Sequence, residues 1–180
     1  MKIKGRIYST TIASILLILI LVIGSIVIQL QADTLFTQRE LLHKLTNQIA
    51  KLELTTIEYL FQENEAADAL WYEQFEEISQ TVESNQPYFQ ELLPFLSEIE
   101  HEFENVTGIA NEINSLEAAN ETLASEFQTS SMKLLLKLKN SLTWLDEQYI
   151  SNQNDLTAFY QRSNWVIMGF IIVVISTSVY

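Results

Sequence analysis

Hydrophobic positions in this chain fall into two continuous runs separated by periodic stripes. Residues 7–32 carry no charged side chain, and 12–28 are almost wholly aliphatic. A second uncharged run covers 163–180. About 20 apolar residues cross a hydrocarbon core roughly 30 Å thick, so the first run predicts a membrane-spanning helix. The second has only 16 residues from Trp165 onward and predicts a span cut short. Between the runs the pattern is helical. Leu42, Leu45, Ile49 and Leu52 step by 3, 4 and 3, and Thr56 and Tyr59 continue the seam. Leu135, Leu138, Leu142, Leu145, Tyr149, Asn152, Leu156 and Phe159 alternate 3 and 4 throughout, in phase with Val166 inside the second run. Such a/d seams pack helices side by side. Ala67, Trp71, Phe75, Ile78 and Val82 form a third stripe. Leu92, Leu96, Ile99, Phe103, Val106, Ala110 and Ile113 form a fourth, followed by Leu116, Leu123 and Phe127.

Helix breakers are scarce between the runs: one glycine, Gly108, and two prolines, Pro87 and Pro94, fall within 33–162. Breaks are cued at Asn64, at Ser84-Asn85-Gln86-Pro87 and at Thr129-Ser130-Ser131. They predict helices near 33–63, 65–84, 87–128 and 131–162, the third bent at Pro94 or Gly108. A first helix leaving the membrane and a last one returning to it require an even number of passes between them. The expected fold is therefore all-α: an antiparallel four-helix bundle flanked by two transmembrane helices. Its segments are a cytoplasmic N-terminus (1–6), a first transmembrane helix (7–32), an extracytoplasmic helical domain (33–162) and a truncated second transmembrane helix (163–180).

Charge fixes the expected orientation. Lys2, Lys4 and Arg6 precede the first run with no acid among them, which holds that end in the cytoplasm. A cleaved signal peptide fits the basic start, but signal cores are about 7–15 residues long. The aliphatic core here is longer, and Leu30-Gln31-Ala32 is a poor cleavage site, so an uncleaved anchor in the inner, cytoplasmic membrane is expected. The net charge is −13, and between Leu52 and Met132 there are 18 Asp or Glu residues and no Lys or Arg. Exterior bases sit only at the two ends: Arg39, Lys44 and Lys51, then Lys133, Lys137, Lys139 and Arg162. A solvated surface explains this pattern, while a field of one sign also attracts cations. Anion receptors use arginine forks or helix N-termini, so a neutral or cationic small ligand, or a periplasmic partner protein, is favoured over an anion. Nucleic acid is not an expected partner.

Little in the sequence points to catalysis. Cysteine is absent, which removes thiol chemistry and cysteine-held metals or clusters. Glu98 and His101 form a Glu-x-x-His pair, but di-iron bundles need two such pairs and two further glutamates. His101 lies about 200° round a helix from Ile99 and faces solvent. No glycine-rich phosphate loop, haem motif or nucleophile elbow occurs. No cofactor or metal is expected, and no enzyme activity in this segment. Asn105-Val-Thr and Asn120-Glu-Thr match the glycosylation triplet, a pattern that chance often produces. Aromatic side chains crowd the middle helices, and a cavity among Tyr59, Trp71, Phe75 and Tyr88, near Asn64 or Asn85, is the expected ligand site.

The order basic start, apolar helix, helical domain of about 130 residues and second apolar helix resembles the sensory half of bacterial transmembrane receptors. Sensor histidine kinases, chemoreceptors and membrane diguanylate cyclases share that layout. The stretch Leu52-Glu-Leu-Thr-Thr-Ile-Glu-Tyr-Leu-Phe61, followed by Glu63-Asn-Glu-Ala and Leu70-Trp71, is most similar to histidine-kinase sensor segments, although Ala66 stands where a basic residue is expected. The resemblance carries over no ligand-binding residue. It implies a homodimer in which binding shifts helices along the seams Leu42, Leu45, Ile49, Leu52 and Leu135, Leu138, Leu142, Leu145, Tyr149, driving an output domain beyond this chain. The alternative is a membrane-anchored scaffold or accessory bundle that docks a partner protein without signalling.

Overall fold

The computed structural model describes residues 2–62, 65–115 and 121–178, and every one of these except Asn85 is helical. The protein is all-α. Its elements are α1 (Lys2–Gln62), α2 (Glu65–Ser84), α3 (Gln86–Phe89), a 3₁₀ turn (Gln90–Leu92), α4 (Leu93–Ser115) and α5 (Glu121–Ser178). Glu63, Asn64, Leu116, Asn120 and Tyr180, on which some of the expectations above fall, lie outside the described residues.

The chain divides into two units, one of residues 1–39 with 151–180 and one of residues 40–150. In the second unit the stripes read from the sequence close on one another. Leu42, Leu45, Ile49 and Leu52 from α1 are at most 1% exposed, and Trp71, Ile78 and Val82 from α2 are fully buried. Ile99, Phe103 and Val106 from α4 and Leu134, Leu138 and Leu145 from α5 complete the core. Each large side chain buried this way stabilises the fold by roughly 1.5–3 kcal/mol relative to its exposed state. Leu142 and Tyr149 pack against the core while half-buried. Leu135 is half-buried, and its neighbour Leu134 takes the enclosed place.

The break at Ser84-Asn85-Gln86-Pro87 is present. Asn85 donates its backbone N–H to the Val82 carbonyl (3.1 Å) and its side-chain amide to the Thr81 carbonyl (2.8 Å). Pro87 stands in the first turn of α3, where its missing N–H has no helical acceptor to lose. Pro94 is the second residue of α4 and is tolerated for the same reason.

The predicted third and fourth helices need correction. α4 ends at Ser115 rather than 128, and α5 starts at Glu121 rather than 131. The run Thr129-Ser130-Ser131 is no break: α5 continues through it, with Ser130 and Ser131 buried. Hydroxyl side chains do compete with the backbone for hydrogen bonds, but within a helix they bond back to a carbonyl one turn earlier. Thr129 does so to the Ser125 carbonyl at 2.8 Å. With these bounds α2 and α4 have 20 and 23 residues, roughly 30 and 35 Å at 1.5 Å per residue. Gly108 lies within α4, which runs on past it.

In the first unit, α1 contains a segment long and apolar enough to cross a membrane, with a mean hydropathy of 2.7 over its best window and none of that window buried. Among the described residues it alone meets that test. On α5, the side chains of Trp165, Val166, Ile167, Met168, Ile171, Ile172, Val173 and Val174 are also 40% or more exposed. A polar fastening of this unit is Asn152, 3% exposed, whose amide donates to the Leu35 carbonyl (3.4 Å) and to Gln38 Oε1 (3.3 Å).

Candidate functional site

Three of the four aromatic candidates meet in one cluster. Trp71 of α2 stacks on Phe103 of α4, with centroids 3.6 Å apart and planes within 4°. Phe75, one turn along α2, stacks on the same indole at 5.1 Å. Tyr59 of α1 tilts against Phe103 at 5.3 Å. The helical spacing explains the meeting: residues four apart on α2 share a face, and that face points to α1 and α4. Trp71 is oriented by a hydrogen bond from its Nε1 to Thr56 Oγ1 (2.9 Å), and Thr56 in turn donates to the Leu52 carbonyl (2.8 Å). The stacked faces fill one another. Tyr88 stands apart, 41% exposed on α3, with an edge contact to Phe89.

The rim of this cluster is acidic. Tyr72, 40% exposed, meets both Phe103 and Trp71 edge-on. Burial pushes its phenol above the ordinary value, and the charges of Asp68, Glu104 and Glu100 push it further the same way. Burial also raises the Asp68 carboxyl, whose Oδ1 is enclosed without a hydrogen-bond partner. The rim therefore combines an aromatic edge with carboxylates contributed by two helices, and its field favours positive charge. Among the described residues no three metal-binding side chains come together. Glu98 is engaged by Lys137 at 2.6 Å, and His101 is exposed.

A second feature was not visible as a site in the sequence. A cleft of about 360 Å³ between α4 and α5 is lined by Asn105, Ser125, Glu126, Thr129, Ser130 and Lys133, with Ile109 below. Asn105 donates its amide to Ser130 Oγ across the cleft (3.1 Å). Hydroxyls, an amide, one carboxylate and one ammonium make a lining suited to a small polar molecule carrying both charges. The signal was present as Lys133 within two turns of Glu126 on one helix, but reading 129–131 as a break placed those residues on separate elements.

Of the seam residues, Leu42, Leu45, Ile49, Leu52, Leu138 and Leu145 are in the core, Leu142 and Tyr149 pack against it, and Leu135 is half-buried. The chain matches no protein-family model, no curated protein and no solved structure.

Proposed function

We propose that this chain is the extracytoplasmic sensing and transmembrane signalling segment of a bacterial receptor, most similar in plan to sensor histidine kinases. On this reading residues 33–162 form an antiparallel four-helix bundle outside the inner membrane. Residues 7–32 and 163–180 are its two membrane helices, and it works as a homodimer with an output domain beyond residue 180. The observation that supports it is the reach of two helices. α1 supplies Leu45, Ile49 and Leu52 to the closed core and α5 supplies Leu138 and Leu145, and each helix also carries an exposed apolar segment.

Binding would then act by favouring one packing of the core over another, to the extent that the ligand's affinity differs between the two. The acidic rim around Tyr72, with Tyr59, Trp71 and Phe75 behind it, supports a neutral or cationic ligand. The segment itself does no chemistry. The test is a fusion of the chain to the cytoplasmic half of a reporter kinase. Replacing Leu142 or Leu145 by glutamate should change the output while membrane insertion is retained. Unchanged output from both variants would sink the signalling reading and leave the scaffold.

A further inference from the structure

Three cavities in the unit of residues 1–39 and 151–180 run end to end. The first, about 370 Å³, is walled by Gln31, Leu35, Asp155, Phe159, Arg162 and Ser163. It shares Ile28 and Val166 with a second of about 240 Å³, which adds Leu21, Gly24 and Phe170. A third, about 210 Å³, uses Leu21 and Phe170 again and continues to Ile171 and Val174. Neighbours share walls, so the three follow one another along α1 and α5 as an open groove in three parts. One end is charged and polar; the rest is aliphatic or aromatic, with Ser25 the one polar wall.

The dimensions and charges select an occupant. From Val166 to Val174 the apolar part follows α5 for eight residues, roughly 12 Å. One leaflet of a hydrocarbon core about 30 Å thick is roughly 15 Å deep. Gly24 leaves room in that part, since a Cβ there would meet nothing within 4 Å. At the polar end Arg162 and Asp155 stand two helical turns apart on one wall. A guanidinium matches a phosphate in planar, two-pronged geometry. The carboxylate two turns away on the same wall disfavours a headgroup that is only anionic and offers an acceptor to an ammonium.

We propose that the groove holds a phospholipid with a primary-amine headgroup, its phosphate on Arg162, its ammonium on Asp155 and one acyl chain lying along Val166, Phe170 and Val174. A choline headgroup would satisfy Arg162 but has no N–H to give Asp155. A glycerol headgroup would leave Asp155 facing a net anion. The inference rests on the membrane-spanning reading above.

The test reconstitutes the full chain in vesicles of equal parts phosphatidylethanolamine, phosphatidylcholine and phosphatidylglycerol. An alkaline wash first shows whether the chain is integral. Lipid that stays with the chain after detergent extraction is then quantified by mass spectrometry. The expected result is an integral chain carrying phosphatidylethanolamine enriched about five-fold over either competitor. Arg162→Gln and Gly24→Leu, at opposite ends of the groove, should each return the lipid to the bulk ratio, and Asp155→Asn should abolish the preference over phosphatidylcholine. A bulk ratio with the wild-type chain, or enrichment of phosphatidylglycerol, overturns the proposal and leaves the membrane reading standing. So does efficient cross-linking between copies through Gly24→Cys, which would mean that a second copy fills the groove. Release of the chain by the alkaline wash overturns both.

Discussion

The hydrogen bond between Trp71 and Thr56 is the most exacting test of how this core is built. Both residues are fully buried, and the indole N–H reaches Thr56 Oγ1 at 2.9 Å. Replacing Thr56 by valine keeps the shape of the side chain but removes the acceptor. The Leu52 carbonyl loses the hydroxyl's donation but keeps its place in the helical ladder, so its loss is small. The indole N–H is left enclosed with nothing to bond, which costs about 1–3 kcal/mol. At about 4 °C per kcal/mol for a domain of this size, the expected loss is roughly 4–12 °C in Tm. The decisive quantity is the coupling. In a Trp71→Phe background the donor is gone, so Thr56→Val should then be close to neutral, because an apolar pair replaces a polar one. The assay is thermal unfolding of the full chain in detergent micelles, followed by the near-ultraviolet signal of its tryptophans and by helix content. Four proteins complete the cycle: wild type, the two single variants and the double. If Thr56→Val costs the same with phenylalanine at position 71 as with tryptophan, the hydrogen bond does not hold the ring and the reasoning fails.

Other perturbations follow from named contacts. Burial holds the Asp68 carboxyl above 3.8, so the native state binds that proton more tightly than the unfolded chain does. Stability is then lost as pH rises through the folded value, and the cost is fully present at neutral pH. Asp68→Asn should therefore melt higher than wild type at pH 7, with the advantage disappearing on acidification towards 3.8; a pH-independent difference contradicts this. Tyr72 should ionise above its ordinary value of 10.0 in an absorbance titration, and Glu104→Gln should bring it part of the way back. Gln48 has both amide atoms enclosed without a partner, so Gln48→Leu should raise stability by about 1–3 kcal/mol in the same melts. The Lys137–Glu98 pair is short, but its side chains are 27% and 58% exposed. Glu98→Gln should cost less than about 1 kcal/mol, and the difference should fall in high salt.

Much of the fold was legible because burial writes a period into the sequence. The steps of 3 and 4 in Leu42, Leu45, Ile49 and Leu52 place all four in the core, and in the stripe from Ala67 to Val82 the residues Trp71, Phe75, Ile78 and Val82 are at most 6% exposed while Ala67 is partly buried. The turn before Pro87 was legible because proline and asparagine constrain the backbone locally. The end of α4 was not, since nothing at Ser115 forbids a helix. Nor was the passage of α5 through Thr129-Ser130-Ser131, because hydroxyl side chains serve equally as caps and as back-bonded helix residues, and tertiary packing decides. Strict alternation puts Leu135 in the seam, whereas its neighbour Leu134 fills the core; a heptad pattern cannot separate adjacent positions that both lie near the interface. The aromatic site was half legible. Tyr59, Trp71 and Phe75 come together, but the ring that joins them is Phe103, which the pattern marks as a stripe member and one of many crowded aromatics without singling it out, and Tyr88 lies on another element.

The distribution of polar and aromatic contacts says which surfaces of the core are fixed in register. Between α1 and α2, Thr55 donates to Gln74 Oε1 (3.0 Å), Trp71 to Thr56, and Lys44 to Thr81 Oγ1 (3.4 Å). Between α4 and α5, Asn105 donates to Ser130 and Lys137 to Glu98. Each set joins helices adjacent in the chain, and hydrogen bonds of this kind are directional, weakening steeply when bent or stretched. The contact of α2 with α4 is of another sort: the Trp71 and Phe103 rings lie face to face, and a stacked pair loses little when one plane slides over the other. A displacement of α1 with α2 against α4 with α5 would therefore keep the directional bonds within each pair; between the pairs it would spend the softer contact and the bonds from Asn152 on α5 to Leu35 and Gln38 on α1. On the receptor reading, that division predicts where motion occurs. A disulfide formed between cysteines placed at Thr55 and Gln74 should leave the output of the kinase fusion responsive, because those positions move together. One that ties Tyr72 to Phe103 should lock it, because their edge contact at 5.5 Å bridges the two halves. Locking by the first disulfide and freedom with the second would reverse the assignment of the moving surface.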